Sequence, residues 1–273
     1  MDITKLYPGG KKKAFTMSYD DGVRQDIAFL YIINKYGLKC TFNLSSGRFS
    51  NPGMWTSVPT NRLSEEISRT LYCGHEIAVH SLTHPNLTKL SKEDIMKEIK
   101  EDKENLSRIA GYPVRGMAYP MGAYNDEIIE CLKECGIVYA RTVKSTYSFE
   151  LPENLLTLHP TCKHTAENVF TLLEEFKNSD TELALFYLWG HSYEFDTDNN
   201  WYLLEDIAKK AVEVHDCWFA TNIDIIDYLE AMKKLKTGED YVKNNSSHAL
   251  WLKVDKKIIR LDPNEEYKNN PMN

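Results

Sequence analysis

Apolar residues in this chain cluster in short runs, and between the runs they recur every three or four positions. Short apolar runs predict strands at 13–19, 38–44, 76–81, 114–120, 137–142, 182–191 and 217–222. The three-to-four spacing predicts helices at 24–36, 62–73, 91–109, 125–135, 166–177, 202–214 and 224–236. Gly37, Gly74 and Gly136 follow helical segments as terminators, and Ser91 stands as an N-cap before an acidic first turn. No internal repeat and no Gly/Ser/Pro-rich linker divides the pattern.

Repeated strand-then-helix units imply parallel strands wrapped by helices. The expected fold is α/β, a distorted (β/α)7 TIM-like barrel. An open doubly wound sheet is the alternative, but no Gly-rich phosphate loop follows the first strand. After Gly238 the pattern changes. "ALWLKV" and "KIIRL" flank Asp255-Lys256-Lys257 and predict a short β-hairpin. The expected organisation is therefore a barrel over 1–237 and a C-terminal β extension over 238–273.

In such a barrel, chemistry sits where strands end. Asp20 and Asp21 close the first strand, and His80 with His84 closes the third. Tyr119-Pro120-Met121-Gly122 closes the fourth, and Arg141 the fifth. His191 and Glu194 follow the sixth, and Asn222 and Asp224 the seventh. Two histidines four apart can share a metal if a third ligand is supplied, commonly a carboxylate. Asp20 and Asp21 supply one and leave a spare acid to act as base. Trp189, Tyr193 and Trp201 lie near His191, where they could stack on a sugar ring. Salt bridges and turn formation are the plain alternatives for these acids and histidines.

Composition narrows the field. The chain has 273 residues, 42% hydrophobic, with a net charge of −7. That is enough for one large core, and it argues against a nucleic-acid partner, which needs a basic face. No apolar run approaches a membrane span. The six cysteines form no CxxC pair, and Met1 to Pro8 carries no basic-then-apolar leader pattern. The expectation is a cytoplasmic protein with reduced thiols.

"MSYDDG", "HSLTHP", "AYPMG" and "LWGH", in that order, resemble the motifs of the polysaccharide deacetylases, the NodB-homology carbohydrate esterases of family four. The resemblance spans about residues 13–230. It implies a distorted barrel binding one divalent metal, most often zinc, with cobalt, nickel or iron as alternatives. By this resemblance Asp20 is the catalytic base, and Asp21, His80 and His84 are the metal ligands. The Met121 N–H helps hold the oxyanion, and His191 is the general acid. Tyr119, Pro120, Arg141, Trp189 and Tyr193 are read as substrate-contacting.

Two departures stand out. Ala118 occupies the place of an arginine that tethers the base, and "TVKSTYSF" lacks the Asp-Trp pair that orients the acid histidine. Arg115 or Arg141 is the candidate substitute for the first, and Glu194 or Asp224 for the second. The implied activity is metal-dependent removal of N- or O-linked acetyl groups from a carbohydrate, expected to be an oligosaccharide. Hydrolysis of cyclic amides and catalytically weakened glycan binding are the alternatives.

Overall fold

The computed structural model describes residues 1–50 and 61–268. In chain order its strands are β1 (Ile3–Leu6), β2 (Lys13–Asp20), β3 (Cys40–Leu44), β4 (Glu76–Val79), β5 (Gly116–Ala118), β6 (Tyr139–Arg141) and β7 (Cys162–Lys163). They continue with β8 (Ala184–Gly190), β9 (Cys217–Phe219), β10 (Leu235–Thr237), β11 (Tyr241–Asn244), β12 (Leu250–Val254), β13 (Lys257–Leu261) and β14 (Glu266–Lys268). The helices are α1 (Asp26–Lys35), α2 (Glu65–Leu71), α3 (Lys92–Ala110), α4 (Asp126–Glu134), α5 (Val169–Asn178), α6 (Glu194–Thr197), α7 (Trp201–Val212) and α8 (Asn222–Met232). Among the described residues no helix is long and apolar enough to cross a membrane.

The expected parallel barrel is the observed architecture, in an incompletely closed form. Strands run in the order β6-β5-β4-β3-β2-β8-β7, all parallel, with β9 added beside β2. Distortion begins at β2. Its residues 13–15 pair with β9, whereas Met17–Asp20 pair with β3. At the other end β6 and β7 do not pair. The segment around Leu158 fills that gap, bonding Ala140 and Thr142 at 2.9 Å each.

Every residue of β2 is buried, as a strand covered on both faces must be. Phe15, Met17 and Tyr19 face the helices and join the main apolar core. The alternate residues Thr16, Ser18 and Asp20 point into the barrel. Neighbouring strands repeat this division. Thr41 and Asn43 of β3, and Glu76 at the start of β4, are buried polar residues between apolar ones.

The barrel interior is therefore polar, and it is tied together by hydrogen bonds. Thr16 donates to Asn222 at 2.8 Å, Asn222 to the Tyr187 hydroxyl at 2.6 Å, and Thr41 and Tyr139 to Glu76 at 2.7 Å each. Those bonds offset the cost of burying the groups.

Some elements differ from expectation, and α6, β11 and β14 have no predicted counterpart. The helix predicted over 224–236 ends at Met232, and 235–237 turns into β10, which pairs antiparallel with β11. The stretch before α5, for which no element is predicted, holds β7, two residues long and below the length at which periodicity is visible. The N-terminal Ile3–Leu6 is a strand, paired antiparallel with β12. β12 and β13 form the predicted hairpin, so β1 completes a three-stranded sheet with it.

Candidate active site

Asp20 ends β2 with its side chain still pointing into the barrel, and it is 3% exposed. Arg141, the last residue of β6 and fully buried, places one guanidinium nitrogen on both of its carboxylate oxygens, 2.5 Å from Oδ2. Asn43 Nδ2, opposite Asp20 in the sheet register, donates to Oδ1 at 2.8 Å. The ring of Trp189 covers Arg141, its centroid 4.7 Å from the guanidinium carbon. Burial alone would raise the Asp20 pKa. The Arg141 charge, helped by His80 and His191, overcomes it and holds the carboxyl well below the usual range.

Asp21 leaves the strand with φ 88°. Its carboxylate ion-pairs with Arg62 Nη1 at 2.7 Å. Burial opposes its charge, but Arg62 and then His80 lower its pKa. His80 follows β4, and its Nδ1 lies 2.8 Å from the Ala118 carbonyl oxygen. That contact places the ring proton on Nδ1 and leaves Nε2 a lone pair. His84 stands with φ 61° and its ring 4.7 Å from that of His80. Ligand-capable atoms of Asp21, His80 and His84 all lie within 4.8 Å of one another. Burial lowers the pKa of both histidines, His80 to about 4, so both rings are neutral at pH 7, the form a metal requires.

His191 approaches Asp20 from the end of β8, Nε2 to Oδ2 3.8 Å, while His80 Nε2 lies 3.9 Å from the same oxygen. Its Nδ1 faces Glu194 at 3.4 Å, and its backbone N–H donates to the same carboxylate at 3.2 Å. Burial pulls the His191 pKa down, but Glu194 and Asp20 together raise it above the ordinary value. Glu194 is in turn held by Lys163 Nζ at 2.6 Å and lies 3.4 Å from His164 Nε2. Burial raises its pKa, but His191 and Lys163 bring it down to about 2. His164 is buried, bonded to the Tyr19 hydroxyl at 3.0 Å, and packed where a Cβ on Gly190 would fall 2.0 Å from its ring.

Of the proposed substitutes for the two departures, Arg141 and Glu194 occupy the positions. Arg115 instead pairs with Asp227, and Asp224 forms the capping box of α8 with Thr221.

The residues read as substrate-contacting divide. Tyr193 is partly exposed, its ring 5.1 Å from His191. Trp189 is 8% exposed. Arg141 has no exposed surface and lies behind Asp20. Tyr119 is buried and donates to the Leu156 carbonyl at 2.7 Å, and Pro120 is buried beside it. Met121 stands exposed on a tight turn with φ 58°.

Sequence reading did not single out Asn43, Arg62, Asp102 or Lys163. Asp102 accepts from the backbone N–H groups of Ser46 at 2.7 Å and His80 at 3.2 Å. It had a signal, since it occupies the apolar stripe of α3 with Ile95, Ile99, Leu106 and Ile109. Asn43 had one too, as a polar residue inside an apolar strand. Arg62 and Lys163 had none.

The polysaccharide deacetylase family model matches residues 8–140. Peptidoglycan-N-acetylglucosamine deacetylase PgdA of Listeria monocytogenes is 28% identical over 121 residues, covering 43% of this chain and 23% of that protein. The chain thus spans about a quarter of this relative's length. A putative polysaccharide deacetylase from Mycobacterium smegmatis has the same fold at TM-score 0.60 and 17% identity, over 86% of this chain and 98% of its own. A family 4 carbohydrate esterase from Streptomyces lividans, solved with acetate, matches at TM-score 0.51 and 14% identity, over 76% of this chain and 91% of its own. The resemblance to the polysaccharide deacetylases drawn from the four motifs is borne out.

Proposed function

We propose that this relative of the polysaccharide deacetylases is a metal-dependent hydrolase that releases acetyl groups from a carbohydrate. The carrying observation is that a two-histidine, one-carboxylate cluster lies beside a second carboxylate and a histidine of raised pKa. The two nitrogens and one oxygen suit a divalent transition metal, zinc first, and leave positions open. Asp21, His80 and His84 would hold it. Bound there, the ion supplies Lewis acidity toward the acetyl carbonyl and the attacking water.

The chain's own groups supply the rest. Asp20, kept anionic by Arg141, takes the proton of the attacking water. It stays off the metal because both its oxygens are engaged by Arg141. His191, kept protonated by Glu194, donates to the leaving sugar nitrogen or oxygen. Donor and acceptor thus hold opposite protonation states at one pH, which acid–base catalysis of acyl transfer requires. The Met121 N–H is the proposed oxyanion donor. An acetylated oligosaccharide is the proposed substrate.

The test is metal analysis joined to acetate release from a panel of N- and O-acetylated oligosaccharides. Expected are about one divalent ion per chain, release that stops with a chelator, and recovery on adding zinc or cobalt. Full metal loading with no acetate release from any acetylated sugar would overturn the reading.

A further inference from the structure

Charge around the site is unevenly distributed. Three carboxylates face it, and each has its own cation: Asp20 with Arg141, Asp21 with Arg62, and Glu194 with Lys163. Arg48 is a fourth cation. It ends a short turn, Ser46–Arg48, that is locked onto the loop between the two metal-site histidines. Gly47 N–H donates to the Leu82 carbonyl at 2.9 Å, and a Cβ on Gly47 would fall 2.6 Å from that oxygen. Arg48 is exposed and has no ion-pair partner among the described residues. Arg48 N–H donates to the Ser45 carbonyl at 3.0 Å, and Ser45 Oγ donates to the His80 carbonyl at 3.1 Å, so the turn that carries Arg48 runs beside the metal cluster. Arg48 is thus the arginine at this mouth left without a carboxylate partner among the described residues, in a chain whose net charge is −7.

We infer that Arg48 is a specificity residue for a sugar carboxylate, so that the substrate is an acidic glycan bearing its carboxylate close to the acetylated carbon. The inference rests on the deacetylase reading above and deepens it. With no carboxylate partner among the described residues, Arg48 is free to take a monoanion, and a guanidinium fork fits a planar carboxylate through two parallel hydrogen bonds. Its charge would also speed encounter with an acidic chain, in a salt-dependent way.

The test compares two acetylated hexuronate oligosaccharides, one O-acetylated and one N-acetylated on an amino sugar acid, each with its methyl ester. The metal-loaded protein should turn over an acid form about tenfold more efficiently than its ester, through KM, and raised salt should shrink that preference. Arg48→Gln should erase the preference while leaving metal content and the ester's kcat/KM within about twofold. Arg48→Lys should keep part of it. Equal losses on acid and ester, or no preference in the unmodified protein, would overturn the inference.

If no acetyl sugar is turned over, the deacetylase reading fails, and equilibrium binding of the deacetylated acid and its ester still decides this one. Tighter binding of the acid, lost in Arg48→Gln, supports the assignment. Equal binding refutes it.

Discussion

Replacing Arg141 with methionine tests the inner layer of the site. The side chain has no exposed surface and touches both oxygens of an equally buried carboxylate. Its removal leaves Asp20 with Asn43 Nδ2 as its remaining side-chain donor. Breaking a buried pair from one side costs about 3–5 kcal/mol, because the survivor keeps its desolvation penalty. At about 2–4 °C per kcal/mol for a chain near this size, the melting temperature should fall by roughly 6–20 °C.

Asp20→Asn should also destabilise, since it strands the arginine. The double variant has neither charge to desolvate and should be less destabilised than the two losses added together. We expect a coupling of about 2 kcal/mol or more in a double-mutant cycle. The assay is guanidinium denaturation at pH 7 with a chelator present, so that metal affinity does not enter. The folded-state pKa of Asp20 is depressed, so the pair's contribution is complete above the ordinary carboxylate pKa of about 4. It should fade as pH drops below that value. Additive losses at pH 7, within about 0.5 kcal/mol, would refute the pairing.

Other outcomes follow from the same geometry. Glu194→Gln removes the anion that raises the His191 pKa, so the alkaline limb of the pH–rate profile should move to lower pH; an unmoved limb would count against the His191 role. Asp21→Ala should remove metal and activity together, whereas Asp20→Asn should keep the metal and lose about 10²-fold or more in kcat; metal analysis beside acetate release separates them. Glu76 is fully buried, and burial raises its pKa to about 7, against its hydrogen bonds from Thr41, Ile223 and Tyr139. The folded state therefore holds a proton that the unfolded chain releases near pH 4, and stability should fall as pH rises from about 4 to 7. Glu76→Gln should flatten that slope in denaturant titrations at several pH values.

The chain's own pattern determined the strand-and-helix alternation, because a strand buried on both faces and an amphipathic helix each write their period locally. It also determined which strand ends carry acids and histidines, since Asp20, His80 and His191 interrupt apolar runs. Even the polar barrel interior is written there, as Thr16, Ser18, Thr41 and Asn43 at alternate positions of buried strands. The tertiary structure decided the pairings. Arg141 reaches Asp20 across 121 residues, and Asn43 does so across 23, through the register of a curled sheet that no local period encodes. Four residues with positive φ at the strand ends, Asp21, Ser81, His84 and Met121, take conformations that propensity disfavours and surrounding contacts impose. β1 became a strand because β12, about 250 positions away, offered it an edge. Glu194 and Asp224 were equal candidates by composition and nearness. The turn after β8 folds one onto His191, and the capping box of α8 consumes the other. Side chains that only meet once the barrel closes leave no mark on the sequence until it does.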